Sequence, residues 1–404
     1  MRLQTIPQSP DAAPGNERRI DLDWVRIAAF GLLIFYHVGM LYVSWGFHIK
    51  SAHRIVALEP VMLVLNPWRL ALLFLVSGVA TRFMLDKYRL APLLRSRSAR
   101  LLIPLVFGML VIVPPQAYDQ IVEALGYPAG FVDFYQRHYL AFGSQFCPNP
   151  CIVLPTWNHL WFVVYLWLYT MALGGLLALA PGLLGWVERR LASAVSGVLL
   201  LVVPPLLLAA YRLILLPYFP STHALFGDWY NHALFATVFL FGFVLARAAA
   251  IWEAMERLRW VALSLAAGFF LCFLAVWATR YGGMPLKILA GVAYGSYQWL
   301  AMVALLGFAR RWLTADSPAR RYLTDAIFPY YIVHQTAIIM IAHALRGQGL
   351  PAWLEAGIVI SGTIAACVAT YEIVRRVTIL RPLFGLRMAS EPAMPVRVSS
   401  WPAQ

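Results

Sequence analysis

The stretch DWVRIAAFGLLIFYHVGMLY, residues 23–42, decides the fold because it is long and apolar enough to cross a bilayer as a helix. Two of its residues, Arg26 and His37, are strongly polar. Their spacing places them on one helical face, about 16 Å apart along the axis. An ionisable residue at such depth is costly, so the pair indicates a function as well as a membrane span.

The composition extends this interpretation to the whole chain. Of 404 residues, 61% are hydrophobic and 12% are charged, and the mean hydropathy is +0.70. A soluble domain usually carries about twice that share of charge. We therefore predict an all-α polytopic membrane protein of about ten transmembrane helices, with both termini cytoplasmic. The predicted spans are 23–45, 66–85, 101–118, 160–180, 193–216, 228–247, 260–279, 287–309, 326–345 and 353–374.

The net charge of +14 does not indicate a nucleic-acid partner. Most of the 32 Lys and Arg residues lie in segments that this topology places on the cytoplasmic side. That asymmetry is the positive-inside rule, by which basic residues orient a chain in its membrane. The partner that the charge predicts is the lipid bilayer.

The chain reads as one membrane domain between two tails. Residues 1–20 and 388–404 are rich in Pro, Ser and Ala, and we predict flexible cytoplasmic tails there. Residues 21–387 form the predicted transmembrane domain, whose longest outside loop is 119–159. The sequence leaves a monomer and a homodimer open.

Aromatic residues crowd the outside loop. They could rest at the lipid headgroup level or form a platform for sugar rings, and the sequence does not choose. The residues are Tyr127, Phe131, Phe134, Tyr135, His138, Tyr139, Phe142 and Phe146.

Two cysteines, Cys147 and Cys151, bracket the stretch CPNPC in the same loop. An oxidising compartment such as the periplasm permits a disulfide between them. A metal site needs more ligands than this stretch offers, so we expect none.

Three arginines, Arg95, Arg97 and Arg100, cluster on the cytoplasmic side before the third span. They could serve topology alone. They could also clamp an anion such as a phosphate, since the forked guanidinium suits that role.

The second predicted span has polar or small residues both near its outer end and deeper in the membrane. Asn66 and Pro67 read as a helix N-cap and first helical position. Arg69 then lies in the first turn, near the outer interface. Ser77 and Gly78 lie deeper, where small residues let helices approach closely.

The polar pair of the first span suggests chemistry. A histidine such as His37 can accept a proton near neutral pH, although a membrane histidine can also only bond neighbouring helices. An arginine on the same face, nearer the cytosol, suits an anionic cosubstrate. A proton-coupled transporter would more typically show acidic relays or repeat symmetry, and neither is evident.

The spacing of Arg26 and His37 resembles the signature of acyltransferase family 3, the membrane O-acyltransferases. Four other stretches resemble the same family. They are LFLVSG (73–78), RSARLLIP (97–104), NHLWFVVYL (158–166) and YYIVHQ (330–335).

Within the family, the chain is similar to the branch that succinylates periplasmic glucans. The stretches that carry this closer similarity are FHIKSA (47–52), NHLWFV (158–163), YIVHQ (331–335) and YEIVRRVTILRPLFG (371–385).

The resemblance implies acyl transfer from a cytosolic acyl-CoA, succinyl-CoA or acetyl-CoA, to hydroxyls of a periplasmic oligosaccharide or polysaccharide. No bound cofactor is expected. His37 would be the general base and Arg26 would position the donor. Arg97 and Arg100 would contact the CoA phosphates, with Arg95 beside them. The location would be a bacterial inner membrane.

Other residues are weaker candidates for the acyl or acceptor site, among them the family's Ser-Gly element in the second span and its late-span histidine. The set is Arg69, Ser77, Gly78, His48, Lys50, His159, Trp161, Asp228 and His334.

Two questions stay open at this level. Asp228, Glu59 or a backbone carbonyl could orient His37. A succinyl donor would need a cation for its free carboxylate, and Arg69 or Arg212 could supply one or could serve only structural pairing. The alternatives to succinylation are O-acetylation of lipopolysaccharide or exopolysaccharide, and glycan or solute transport without covalent chemistry.

Overall fold

The computed structural model describes residues 19–147, 151–195, 197–279 and 282–388. The two predicted tails therefore lie almost wholly outside the described residues. Within the described part, helices dominate and a single two-stranded hairpin interrupts them.

Fourteen helices of the described part are numbered in chain order. They are α1 Ile20–Gly39, α2 Glu59–Leu65, α3 Arg69–Lys87, α4 Leu90–Phe107, α5 Pro114–Leu125, α6 Phe131–Phe134, α7 Trp161–Leu179, α8 Leu183–Ala194, α9 Val203–Ile214, α10 Trp229–Leu245, α11 Ala249–Ala278, α12 Met284–Trp312, α13 Pro318–Leu345 and α14 Ala352–Arg376.

Apolar length identifies the membrane spans. In the described residues, 8 helical segments are long and apolar enough to cross a bilayer, and α4 with α5 forms a ninth candidate bent by 42°. Helix α10 is apolar but shorter. The chain is therefore an all-α polytopic membrane protein, as predicted. The described residues thus contain eight or nine segments that can span a bilayer, and α10 occupies the position of a further predicted span but is shorter. The count of ten and the sidedness stay predictions.

The bend between α4 and α5 has a local cause. A π-helical turn, Gly108–Ile112, follows α4, and Pro114 and Pro115 begin α5. Such a turn and a proline both interrupt the regular helical hydrogen bonds. The bend carries Gln116, which is fully buried, into the centre of the molecule.

The start of the second span differs from the prediction. Helix α3 begins at Arg69 after Trp68, and no side chain caps it. The predicted N-cap at Asn66 is therefore wrong. The physical reason is competition, because the Asn66 side-chain oxygen accepts a hydrogen bond from the Tyr36 hydroxyl at 3.0 Å.

Two glycines bring α3 and α10 into backbone contact. A Cβ atom on Gly78 would lie 2.0 Å from the carbonyl oxygen of Phe239, and one on Gly242 would lie 1.9 Å from that of Leu75. No side chain fits in this crossing. Gly78 thus has a packing role in the structure, while Ser77 beside it is partly exposed.

The predicted outside loop contains structure of its own. Phe134 and Tyr139 are fully buried in a small aromatic cluster, whereas Phe142 is 70% exposed. Strand β1 (Gln145–Phe146) pairs antiparallel with β2 (Ile152–Val153). A disulfide joins the two cysteines between these strands, as the CPNPC stretch suggested.

Candidate active site

His37 lies near the C-terminal end of α1 and forms a pair with a histidine of α13. Its Nδ1 atom is 3.0 Å from Nε2 of His334, and the rings are within 8° of parallel. His334 is fully buried, whereas His37 is partly exposed. Nδ1 of His334 lies 2.7 Å from the carbonyl oxygen of Tyr331. These two imidazoles, the histidine pair, therefore continue a chain of hydrogen bonds from a backbone carbonyl.

The bonds determine the tautomers of a neutral histidine pair. A carbonyl oxygen can only accept, so Nδ1 of His334 carries the proton. Nε2 of His334 then accepts from Nδ1–H of His37. Nε2 of His37 is left with a free lone pair, which is the state that a general base requires.

The same chain of bonds identifies what orients His37. Glu59 accepts two hydrogen bonds from Ser44, at 3.0 and 2.5 Å. Asp228 accepts one from the Tyr165 hydroxyl at 2.9 Å. Of the three groups considered from the sequence, the backbone carbonyl is the one whose hydrogen bonds lead to His37, and they do so through His334.

The loop that follows α1 folds over the histidine pair. The Phe47 ring stacks on His37 at 6.1 Å. His48 donates from Nδ1 to Gln120 at 2.6 Å and accepts at Nε2 from Gln335 at 2.8 Å. Both bonds suit a neutral ring, and burial lowers the pKa of His48 to about 4. His48 therefore anchors this loop to α5 and α13.

A buried glutamine extends the network. Gln116 accepts from Gln335 at 3.0 Å, donates to Thr336 at 2.5 Å and lies 3.4 Å from Nδ1 of His159. Nε2 of His159 lies 3.1 Å from the carbonyl oxygen of Ile332. The sequence analysis assigned no role to Gln116 or Gln335. Both could have been noticed as His37 was, because each is a polar residue in a largely apolar stretch.

Lys50 binds backbone carbonyl groups at the end of α1. Its Nζ donates to the carbonyl oxygens of Met40 and Val43, at 2.6 and 2.9 Å, just beyond the end of α1. Burial, with the nearby Arg54 charge, lowers the pKa of Lys50 to about 8. Lys50 therefore caps the carbonyls at this end of the helix.

Three arginines lie near one another toward the opposite end of α1. Arg26 donates to the carbonyl oxygen of Thr324 at 3.2 Å, and Arg100 donates to that of Gly385 at 3.3 and 3.2 Å. Arg97 lies close enough to both for their charges to act on it. Like charges in such proximity favour an anion between them. Arg26, Arg97 and Arg100, which were predicted to bind or position the acyl donor, thus lie near one another. Arg95, predicted beside them, is exposed.

Trp161 and Asp228 belong to a different cluster. Trp161 stacks on the His223 ring at 4.2 Å. Asp228 is fully buried and accepts a hydrogen bond from the backbone nitrogen of His223 at 2.6 Å. These contacts hold the segment before α10 in place.

The comparison with protein families agrees with this geometry. The family model Acyl_transf_3, described as an acyltransferase domain, matches residues 19–372. The match includes the histidine pair and the three arginines at the other end of α1. No curated protein and no solved structure is similar enough to match. The chain therefore belongs to acyltransferase family 3 and is a multi-pass membrane acyltransferase.

Proposed function

We propose that the chain transfers a succinyl group from cytosolic succinyl-CoA to hydroxyl groups of a periplasmic glucan, in a bacterial inner membrane. The observation that carries the proposal is the free Nε2 of His37 in a member of an acyltransferase family. The choice of succinyl and glucan comes from the similarity of FHIKSA (47–52) and YEIVRRVTILRPLFG (371–385) to glucans biosynthesis protein C.

The histidine pair suits the chemical step. The acceptor hydroxyl donates to Nε2 of His37, and its oxygen attacks the thioester carbonyl as the proton moves to that nitrogen. The tetrahedral intermediate then collapses, the carbon–sulfur bond breaks, and the proton on Nε2 passes to the leaving CoA thiolate. Throughout, Nδ1–H of His37 stays bonded to His334, which keeps Nε2 directed at the acceptor.

The arginines suit the donor. Arg26, Arg97 and Arg100 can share the CoA phosphates, because guanidinium groups bind phosphate through paired donors. Nε of Arg97 has no hydrogen-bond partner within the described residues, so a donor atom is available. With the phosphates there, the thioester arm runs along α1 toward His37, about 16 Å away.

The test follows a labelled acyl group. Proteoliposomes are incubated with isotopically labelled succinyl-CoA or acetyl-CoA and with glycans extracted from the cell envelope, and the glycans are analysed by mass spectrometry. We expect ester-linked label with the wild type and a loss of ~10²–10⁴ in rate with His37→Gln, which keeps a polar group but cannot take the proton.

His343→Gln is the matched control, because His343 is 45% exposed and pairs with Asp119 away from the base. It should transfer label normally. Label on the glycan from acetyl-CoA alone would favour O-acetylation. Glycan that crosses the vesicle membrane without gaining label would mean transport and would refute the proposed chemistry.

A further inference from the structure

Arg69 is a buried cation close to the proposed chemistry. It begins α3 and is 3% exposed, and its Nε and Nη1 atoms have no hydrogen-bond partner among the residues that the structure describes. Within the described ranges, no carboxylate forms an ion pair with it. Arg212, the other cation considered from the sequence, instead donates to the Tyr230 hydroxyl at 3.4 Å.

A buried guanidinium that forms no ion pair is expensive to keep at this depth. The Tyr36 side chain hydrogen-bonds to the guanidinium, and the centre of its ring lies 3.7 Å from Cζ. Contact with Tyr36 returns part of the lost hydration, but within the described residues it leaves the Nε and Nη1 donors of Arg69 unsatisfied. At 3% exposure a lipid headgroup cannot reach it. The described part of the chain therefore supplies no acceptor for Nε and Nη1 of Arg69.

The position of Arg69 relates any anion that it binds to the reaction. The Tyr36 ring centre lies 6.1 Å from the His37 ring centre, so the guanidinium is no farther from His37 than this distance and the 3.7 Å contact combined. The Arg69 charge acts on both members of the histidine pair. An anion bound by Arg69 would therefore lie beside the histidine pair.

The length of a dicarboxylic acyl group matches this arrangement. In a succinyl thioester, three carbon–carbon bonds separate the two carbonyl carbons, which spans about 4 Å. With the acceptor hydroxyl on His37 and the thioester carbon beyond it, the free carboxylate can reach Arg69. An acetyl group would leave the guanidinium unpaired.

We infer that Arg69 binds the free carboxylate of the acyl group and so selects a dicarboxylic donor over acetyl-CoA. The inference rests on the proposed function, and it assigns a specificity-determining residue to it. A fork of N–H donors facing a carboxylate gives a strong bidentate contact.

The test compares two thioesters on the full-length protein in detergent. Binding of succinyl-CoA and acetyl-CoA is measured by calorimetry for the wild type, Arg69→Gln, Arg69→Lys and Arg247→Gln. We expect the wild type to bind succinyl-CoA at least about tenfold more tightly, and Arg69→Gln to remove that preference while acetyl-CoA affinity stays within about threefold. Arg69→Lys should keep part of the preference.

Arg247→Gln is the matched control, since Arg247 pairs with Asp86 on an exposed surface and should leave both affinities unchanged. A wild type that binds neither thioester would refute the proposed function. A wild type that binds both equally, or an Arg69→Gln variant that weakens both equally, would refute the role of Arg69 alone. If Arg69→Gln does not fold, the test uses Arg69→Lys. A preference of Arg69→Lys for succinyl-CoA equal to that of the wild type would contradict the bidentate contact.

Discussion

At the scale of the residue, His334 acts on the proposed reaction only through His37. Glutamine could replace it, because its amide nitrogen can donate to the Tyr331 carbonyl and its oxygen can accept from His37. We expect His334→Gln to keep at least about a tenth of wild-type turnover, and His334→Leu, which leaves Nδ1–H of His37 unpaired, to fall by ~10²–10⁴. The measurement is label transfer at saturating acyl-CoA across a pH series.

If His334 served only packing, His334→Gln and His334→Leu would both reduce the amount of folded protein to the same degree. Size-exclusion chromatography would detect that loss. If His334→Gln folds but is as inactive as His334→Leu, the proton must pass to His334 itself. The assignment of the base to His37 alone would then be wrong.

The sequence identified His37 and His334 as candidates but could not show that they contact each other. Each is a polar residue in an apolar stretch, and that signal needs no structure. The hydrogen bond between them connects residues 297 positions apart, so it depends on how α1 and α13 pack. For the same reason the sequence could not show that Nε and Nη1 of Arg69 have no hydrogen-bond partner within the described residues, since that depends on every side chain packed around them.

At the scale of the element, His48 ties the loop after α1 to two helices. Burial holds its pKa at about 4, below the usual value of about 6.5 in an unfolded chain. Between these pH values the unfolded chain binds more protons, so the free energy of unfolding falls as pH falls from about 6.5 to about 4. Above pH 6.5 both states are neutral and the effect vanishes. Thermal unfolding in detergent across this range would measure it.

His48→Gln is the control for that pH dependence. Glutamine can donate to Gln120 and accept from Gln335 without titrating. The variant should therefore lose less stability between pH 6.5 and pH 4 than the wild type does. An identical loss in both proteins would show that other groups cause the acid sensitivity.

The crossing of α3 and α10 gives a second prediction at this scale. Gly78→Ala would place a methyl group 2.0 Å from a backbone oxygen and 2.8 Å from the backbone nitrogen of Phe243. Backbone atoms cannot rotate away, so the helices must separate, at a cost of about 1–3 kcal/mol or more. Gly175→Ala in α7 is the control, because nothing lies within 4 Å of the added atom. Equal unfolding temperatures would contradict this close crossing.

Elements were predictable where a single property sets them. The bilayer fixes the apolar length of a span, so the positions of most spans followed from composition alone. Local competition was harder to predict. Asn66 carries a capping side chain, yet a tyrosine of α1 binds it. The bend before α5 likewise depends on a π-helical turn for which the sequence showed no clear signal beyond two prolines.

At the scale of the whole molecule, the proposed function requires the two ends of α1 to face different compartments. The three arginines lie at one end, where cytosolic acyl-CoA would bind, and the histidine pair lies near the other, where a periplasmic hydroxyl would arrive. The positive-inside rule gives the same orientation, because basic residues concentrate on the arginine side. In the proposed reaction, the fold would hold donor and acceptor on opposite sides, and the thioester arm would bridge the distance between them.

This orientation predicts opposite labelling of two positions, one in the first half of α4 and one in the loop before β1. Ser96, near the start of α4, should be cytoplasmic, and Ser144, just before β1, should be periplasmic. Single cysteines are placed at each position in a chain in which Cys147, Cys151, Cys272 and Cys367 have been replaced. In intact cells with a permeable outer membrane, an impermeant thiol reagent should label position 144 and leave position 96 unmodified. Position 96 should react only after the inner membrane is opened. Labelling of position 96 in intact cells would place the arginines outside, where cytosolic acyl-CoA could not reach them, and the proposed direction of transfer would fail with the topology.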